Sequence, residues 1–255
     1  MSSDGHSNSS EMTFWDHLDE LRGTLIRSAA AVFALAVAAF CFKKILFDGI
    51  VLAPLRGDFL TYRLLGIDFD MTLVNIEISS QFFVHLRAAL AAGLVIACPY
   101  IIYELWRFVA PALYESEKRS ARKAFSLASV LFYAGVLIGY FIVLPLCLEF
   151  FVDYKVSDVV HNTIALTSYI SLFMSLVLVI GIVFEFPMLA MLLSATGLIS
   201  RDTLKKYRRH AIVAVLCVSA VITPADPMSM IVLAIPLYAL YEFSILLCKK
   251  ASSDE

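Results

Sequence analysis

The run LTSYISLFMSLVLVIGIVFEFPMLAMLLS, Leu166–Ser194, decides the class of fold. It holds 29 residues, and Glu185 is their one acidic or basic side chain among Asp, Glu, Lys, Arg and His. A helix needs about 20 apolar residues to cross about 30 Å of hydrocarbon. Lipid offers backbone N–H and C=O groups no partner, so such a run must be helical. Four more runs reach that length: Thr24–Leu46, Gln81–Leu105, Ala124–Phe151 and Met228–Cys248. A sixth, Ala211–Thr223, has 13 residues and spans about 20 Å as a helix. It runs into Thr223-Pro224-Ala225-Asp226-Pro227, a turn by composition. Ala211–Cys248 therefore reads as a tight helical hairpin of one short and one modest span. The expected fold is an all-α, six-span membrane bundle over residues 13–250, with tails at 1–12 and 251–255.

Composition agrees. The 255 residues are 60% hydrophobic and 16% charged, with mean hydropathy +0.83. Soluble domains carry about 45–50% apolar and about 25% charged residues. A cytosolic enzyme and a DNA-binding protein are excluded, and the net charge of −2 provides no field for nucleic acid. The five cysteines lie far apart in apolar runs, without a CxxC pair, and read as small buried hydrophobes. Met1–Glu11 is polar and Ser-rich, without the apolar stretch of a signal peptide, and is expected to be a disordered tail.

Lys and Arg set the orientation. Fourteen of the 20 fall on the side that holds both termini; Lys43, Lys44, Arg56, Arg63, Arg87 and Lys155 fall on the other. The positive-inside rule places both termini in the cytoplasm. The far side receives a long first loop, Phe47–Ser80, whose aspartates, Glu77 and mixed character predict an ordered cap with short helices. Pro99, Pro145, Pro187 and Pro236 lie inside apolar runs, where each removes a helical hydrogen bond. They bend the helices into a curved wall, or merely reflect the frequency of proline in membrane helices.

Several polar residues require explanation. Phe14, Leu18, Leu21 and Leu25 share one face of a helix, and Asp16 and Glu20 share another. This predicts an amphipathic helix at the interface that turns into the first span. Acids anchor poorly to an anionic leaflet, so Asp19 and Glu20 suit a cationic ligand. The loop Trp106–Glu117 carries aromatics with Glu115 and Glu117. The plainer account is helix capping, with Ser116 as N-cap and the acids in the first turn. Both acidic patches lie on the same membrane face, where carboxylates from the two would match guanidinium groups. Glu185 must face the bundle interior or a wet cavity. A hydrogen bond, protonation, a pair with Arg87 or a partner subunit's polar group would each accommodate it. Thr223 and Asp226 at the hairpin tip suit a turn and helix cap. Gly135 and Gly139 form a GxxxG that allows close helix approach.

Known catalytic and metal-binding patterns are absent. The sequence has no HExxH, GxSxG, P-loop or GxGxxG, and its five histidines lack metal spacing. No enzyme activity, cofactor or metal is expected.

Six motifs in order resemble the TatC family, the six-span receptor subunit of the twin-arginine protein translocase. They are His17-Leu-Asp-Glu-Leu-Arg22, Leu52-Ala-Pro-Leu55, Phe108-Val-Ala-Pro-Ala-Leu-Tyr114 with Glu117, Phe184-Glu-Phe-Pro187, Thr223-Pro-Ala-Asp226 and Leu233-Ala-Ile-Pro236. The resemblance implies a receptor in the bacterial inner membrane that binds twin-arginine signal peptides of folded cargo at the cytoplasmic face. It also implies recruitment of single-span TatA- and TatB-type partners, association with other TatC protomers, and export driven by the proton-motive force. Carried over by position, Glu20 and Glu117 would hold the two arginines, and Phe108, Asp19 and Arg22 would belong to the same patch. Glu185 would be the buried glutamate of the concave wall. Thr223, Asp226 and Met230 would lie at the partner-helix edge, and Pro54 in the periplasmic cap. The chain departs from the pattern at Gly23 and Thr24, where basic residues are frequent. It departs again at Ala225, and at Met230, where a glutamine is frequent. Two other readings compete: a proton-coupled secondary transporter using Glu185, and an assembly scaffold whose acids only cap helices.

Overall fold

The computed structural model describes residues 14–67, 69, 71–154, 163–223 and 227–248. The all-α expectation holds, with five helices among these residues long and apolar enough to cross a bilayer. The first differs from the expectation. Phe14–Cys41 (α1) is one continuous helix of 28 residues, and the amphipathic stretch does not turn before the span. Continuity follows from composition: no proline interrupts Phe14–Cys41, and eleven alanines and leucines from Leu18 to Ala39 favour unbroken helix.

The expected cap follows. Ile45–Val51 is a π-helical turn, Ala53–Leu55 a 3-10 turn containing the buried Pro54, and Leu60–Leu65 a short helix (α2) that ends on Gly66 at φ +67°. Tyrosines from the spans satisfy the cap's backbone: Tyr140 donates to the Ile50 carbonyl at 2.8 Å and Tyr169 to that of Val51. Thr61 returns a hydrogen bond to the carbonyl of Phe141, and Phe59 stacks on the Phe141 ring. Carbonyls freed where a helix loosens need such partners. Leu73–Val74 (β1) pairs in parallel with Ile164–Ala165 (β2), the one two-stranded ladder among the described residues.

Ser80–Val109 (α3) runs antiparallel to α1. The helices approach closely at Gly93, where a Cβ would lie 2.6 Å from the Ala36 nitrogen and 2.8 Å from its Cα. Outward residues of α1 such as Leu25 and Phe33 remain exposed, as lipid-facing side chains do.

The next apolar run divides into Glu115–Ile138 (α4), a π-helical turn at Gly139–Val143, and Leu144–Asp153 (α5) with Pro145 in its first turn. The fourth is also broken: Leu166–Val183 (α6) stops, Phe184 and Glu185 form a turn, and Phe186–Ala195 (α7) resumes with Pro187 in its first turn. Gly135 lies against Phe184 and Gly181, and Gly139 against Leu176 and Val177. The GxxxG thus serves packing within the chain.

Arg201–Lys206 (α8), capped by the Ser200 hydroxyl, leads into Arg208–Ile222 (α9) and Pro227–Leu247 (α10). At 15 residues α9 is the short member expected, about 22 Å long. Ser175 of α6 donates to the Ile222 carbonyl at 2.9 Å, which fixes the hairpin to the bundle, and Tyr241 of α10 donates to that of Leu204 in α8 at 2.6 Å.

Replacing Gly93 by alanine drives a methyl into the Ala36 backbone, which cannot rotate away. The thermal midpoint of the detergent-solubilised protein is expected to fall, by the equivalent of about 1–3 kcal/mol for overpacking. Gly49→Ala, which meets nothing within 4 Å, should leave it nearly unchanged.

Candidate functional site

The antiparallel pairing of α1 and α3 brings the first turns of α1 beside the end of α3. There the His17 ring stacks on Phe108, with centroids 4.3 Å apart and planes 23° from parallel. Two of the expected patch segments therefore touch. Asp19 and Arg22 are exposed on α1, and Glu20 and Phe108 are half-buried. Glu117 stands in the first turn of α4, which begins at Glu115, so Ser116 lies within the helix and is not its N-cap. The side chain of Glu117 lies outside what the structure describes.

Beneath the stack is an ion-pair network that sequence reasoning missed. Arg27 donates through Nε to Glu104 at 2.7 Å. Its Nη2 reaches Glu20 at 3.3 Å and the Thr24 hydroxyl at 3.2 Å. Glu104 is only 2% exposed, and Tyr100, one turn earlier on α3, lies beside it. The absence of a Cβ on Gly23 makes room for the guanidinium, since a methyl there would sit 3.0 Å from Arg27 Nη1. Arg27 in the sequence is one cation of the orientation count. Glu104 hides between Tyr103 and Leu105 at the end of an apolar run. Its signal was an acid inside a span-length stretch, the same signal that singled out Glu185.

The two contacts of Arg27 differ in kind. The bond to Glu104 is short, and its carboxylate side is almost wholly covered although Arg27 itself is 36% exposed; a covered carboxylate requires a paired cation. The bond to Glu20 is longer and joins two side chains each 36% exposed. Surface pairs of that type are weak and exchange readily.

Glu185 sits at the break between α6 and α7. Neither carboxylate oxygen has a hydrogen-bond partner among the described residues, and both are buried. Its expected alternative pairing with Arg87 does not form: Arg87 is exposed and makes no ion pair there. At the hairpin edge Thr223 is buried, and its hydroxyl donates to the Ser219 carbonyl at 2.9 Å, while Met230 is half-buried. Asp226 lies outside the described residues. An apolar groove of about 240 Å³ runs between α6, α7, α9 and α10, lined by Val183, Phe186, Val215, Val218 and Leu237. Among the described residues no group of His, Cys, Asp and Glu could hold a metal.

Comparison with known proteins gives one answer. A family model described as Sec-independent protein translocase protein (TatC) matches residues 16–236. The TatC protein of Blattabacterium sp. subsp. Periplaneta americana is 38% identical over 92% of this chain and 94% of its own. That of Aquifex aeolicus is 34% identical over 94% of this chain and 96% of its own. Two solved structures of the twin arginine translocase receptor TatC, one of them in DDM, superpose with TM-scores of 0.74 and 0.77. They share 34% and 35% identity, cover 91% of this chain in both cases, and are themselves covered to 97% and 99%. This multi-pass membrane protein belongs to the TatC family of Sec-independent protein translocase proteins.

Proposed function

We propose that the chain is a receptor for twin-arginine signal peptides of folded precursors in the bacterial inner membrane. Six spans, with α9 as the short fifth, place both termini in the cytoplasm. That orientation is supported by the excess of Lys and Arg on the side of the termini. The observation that carries the reading is the His17–Phe108 stack, which joins the acidic N-terminal segment to the aromatic loop that precedes Glu117. Glu20 and Glu117 hold the two signal arginines, with Asp19, Arg22 and Phe108 around them. Exposed pairs contribute about 0–1 kcal/mol each, so recognition also requires aromatic packing and insertion of the signal's apolar stretch.

The hairpin edge serves assembly. TatA- and TatB-type single-span helices and other protomers dock there beside Thr223, Asp226 and Met230, and the proton-motive force drives export. The apolar groove between α6, α7, α9 and α10 lies along the same hairpin and can take side chains of such a helix. The cap containing Pro54 closes the periplasmic end. The short α9 thins the surrounding bilayer and lowers the barrier to passage of cargo.

A second reading rests on Glu185. Its orphaned carboxylate at a helix break is the kind of group a proton-coupled transporter uses. Solute uptake by proteoliposomes that disappears in Glu185→Ala would favour it; no uptake by the unaltered protein removes it.

Glu20→Ala combined with Glu117→Ala should weaken binding of a twin-arginine signal peptide to the purified protein by about tenfold. Unchanged affinity contradicts the receptor reading. Lengthening α9 by two turns, about 11 Å, should impair export while leaving signal binding intact; normal export contradicts bilayer thinning.

A further inference from the structure

The carboxylate assigned to a signal arginine is already held by an arginine of the chain. Arg27 touches Glu20 at 3.3 Å and Glu104 at 2.7 Å, and Gly23 and Thr24 complete the space around its guanidinium. The site is therefore a guanidinium site with an internal occupant. We propose that Arg27 is an intramolecular surrogate for a signal arginine, and that Glu104 is the third carboxylate that retains it when the incoming guanidinium takes Glu20. The proposal rests on the receptor reading above.

The geometry supports an exchange. Arg27 uses Nε for Glu104 and Nη2 for Glu20, so one contact can break while the other stays. The more buried Glu104 keeps the cation, because an unpaired charge there would be strongly unfavourable. The exposed arm exchanges, because its partner is half-solvated and its bond long. The charges balance: one guanidinium shared by two carboxylates leaves one negative charge over, and the incoming guanidinium that takes Glu20 neutralises it while Arg27 stays paired with Glu104. The internal occupant also sets a threshold. A ligand must supply a group that competes with a guanidinium for a carboxylate, and the planar fork of arginine does so better than the single ammonium of lysine. Glu104 and Arg27 act as positioning and specificity-determining residues, with the signal itself bound by Glu20.

The test is binding of fluorescent twin-arginine and twin-lysine signal peptides to the full-length protein in nanodiscs. Glu104→Gln removes the retaining charge, so Arg27 falls wholly to Glu20, and twin-arginine affinity should drop by about fivefold. Arg27→Gln combined with Glu104→Gln removes occupant and retainer together and leaves no unpaired buried charge, so folding is spared. That double variant should bind the twin-arginine peptide at least as tightly as the unaltered protein, by up to about fivefold tighter. It should also discriminate less against twin-lysine. A network with only a structural role predicts that both variants shift in the same direction, or that neither shifts; either result overturns this inference alone. An unaltered protein that binds the twin-arginine and twin-lysine peptides equally overturns both the inference and the receptor reading.

Discussion

Hydrocarbon donates and accepts no hydrogen bonds, and most of this structure answers that single constraint. It forces the long runs into helices. It also requires a partner for each carbonyl exposed where a helix ends or loosens. The cap shows the consequence clearly, since its π-helical and 3-10 turns lie against tyrosines whose hydroxyls meet the carbonyls of Ile50 and Val51. Close approach of helices then depends on small residues. Gly93 against Ala36 allows α1 to lie on α3, and Gly135 against Phe184 allows α4 to lie on the broken α6–α7 pair. The same constraint makes buried charge rare and informative. Glu104 is neutralised by Arg27, whereas Glu185 has no partner among the described residues.

The α1–α3 contact connects packing to recognition. Without the close approach at Gly93, α1 would not carry His17 onto Phe108 or Arg27 onto Glu104 at the other end of the same interface. The proposed signal site is thus positioned by packing deeper along the same pair of helices. Loss of the Gly93–Ala36 approach should therefore affect signal affinity, even though neither residue belongs to the proposed patch.

Much of the fold was legible from run length alone, including the short α9, because hydrophobic length is a strong signal in membranes. The cap was legible from the mixed character of Phe47–Ser80. Continuity of α1 was not, because a charged amphipathic turn before an apolar run fits a bend or a straight helix equally well. The break at Phe184–Glu185 was half legible: Pro187 signals a lost hydrogen bond, yet only tertiary packing against Gly135 determines where the chain yields. In the candidate site, Glu20 and Phe108 were legible as an acid and an aromatic on one face. The Arg27–Glu104 pair was not, since its members stand 77 residues apart and a pair between helices leaves no local pattern.

A photoactivatable amino acid at position 117 most directly tests whether the N-terminal acids and the α4 start form one signal-binding patch. With a twin-arginine precursor and membranes containing the full chain, a crosslink to residues flanking the arginine pair is expected, and a twin-lysine precursor should lose it. A crosslink that is absent, or that persists equally with the twin-lysine precursor, would contradict the shared guanidinium site.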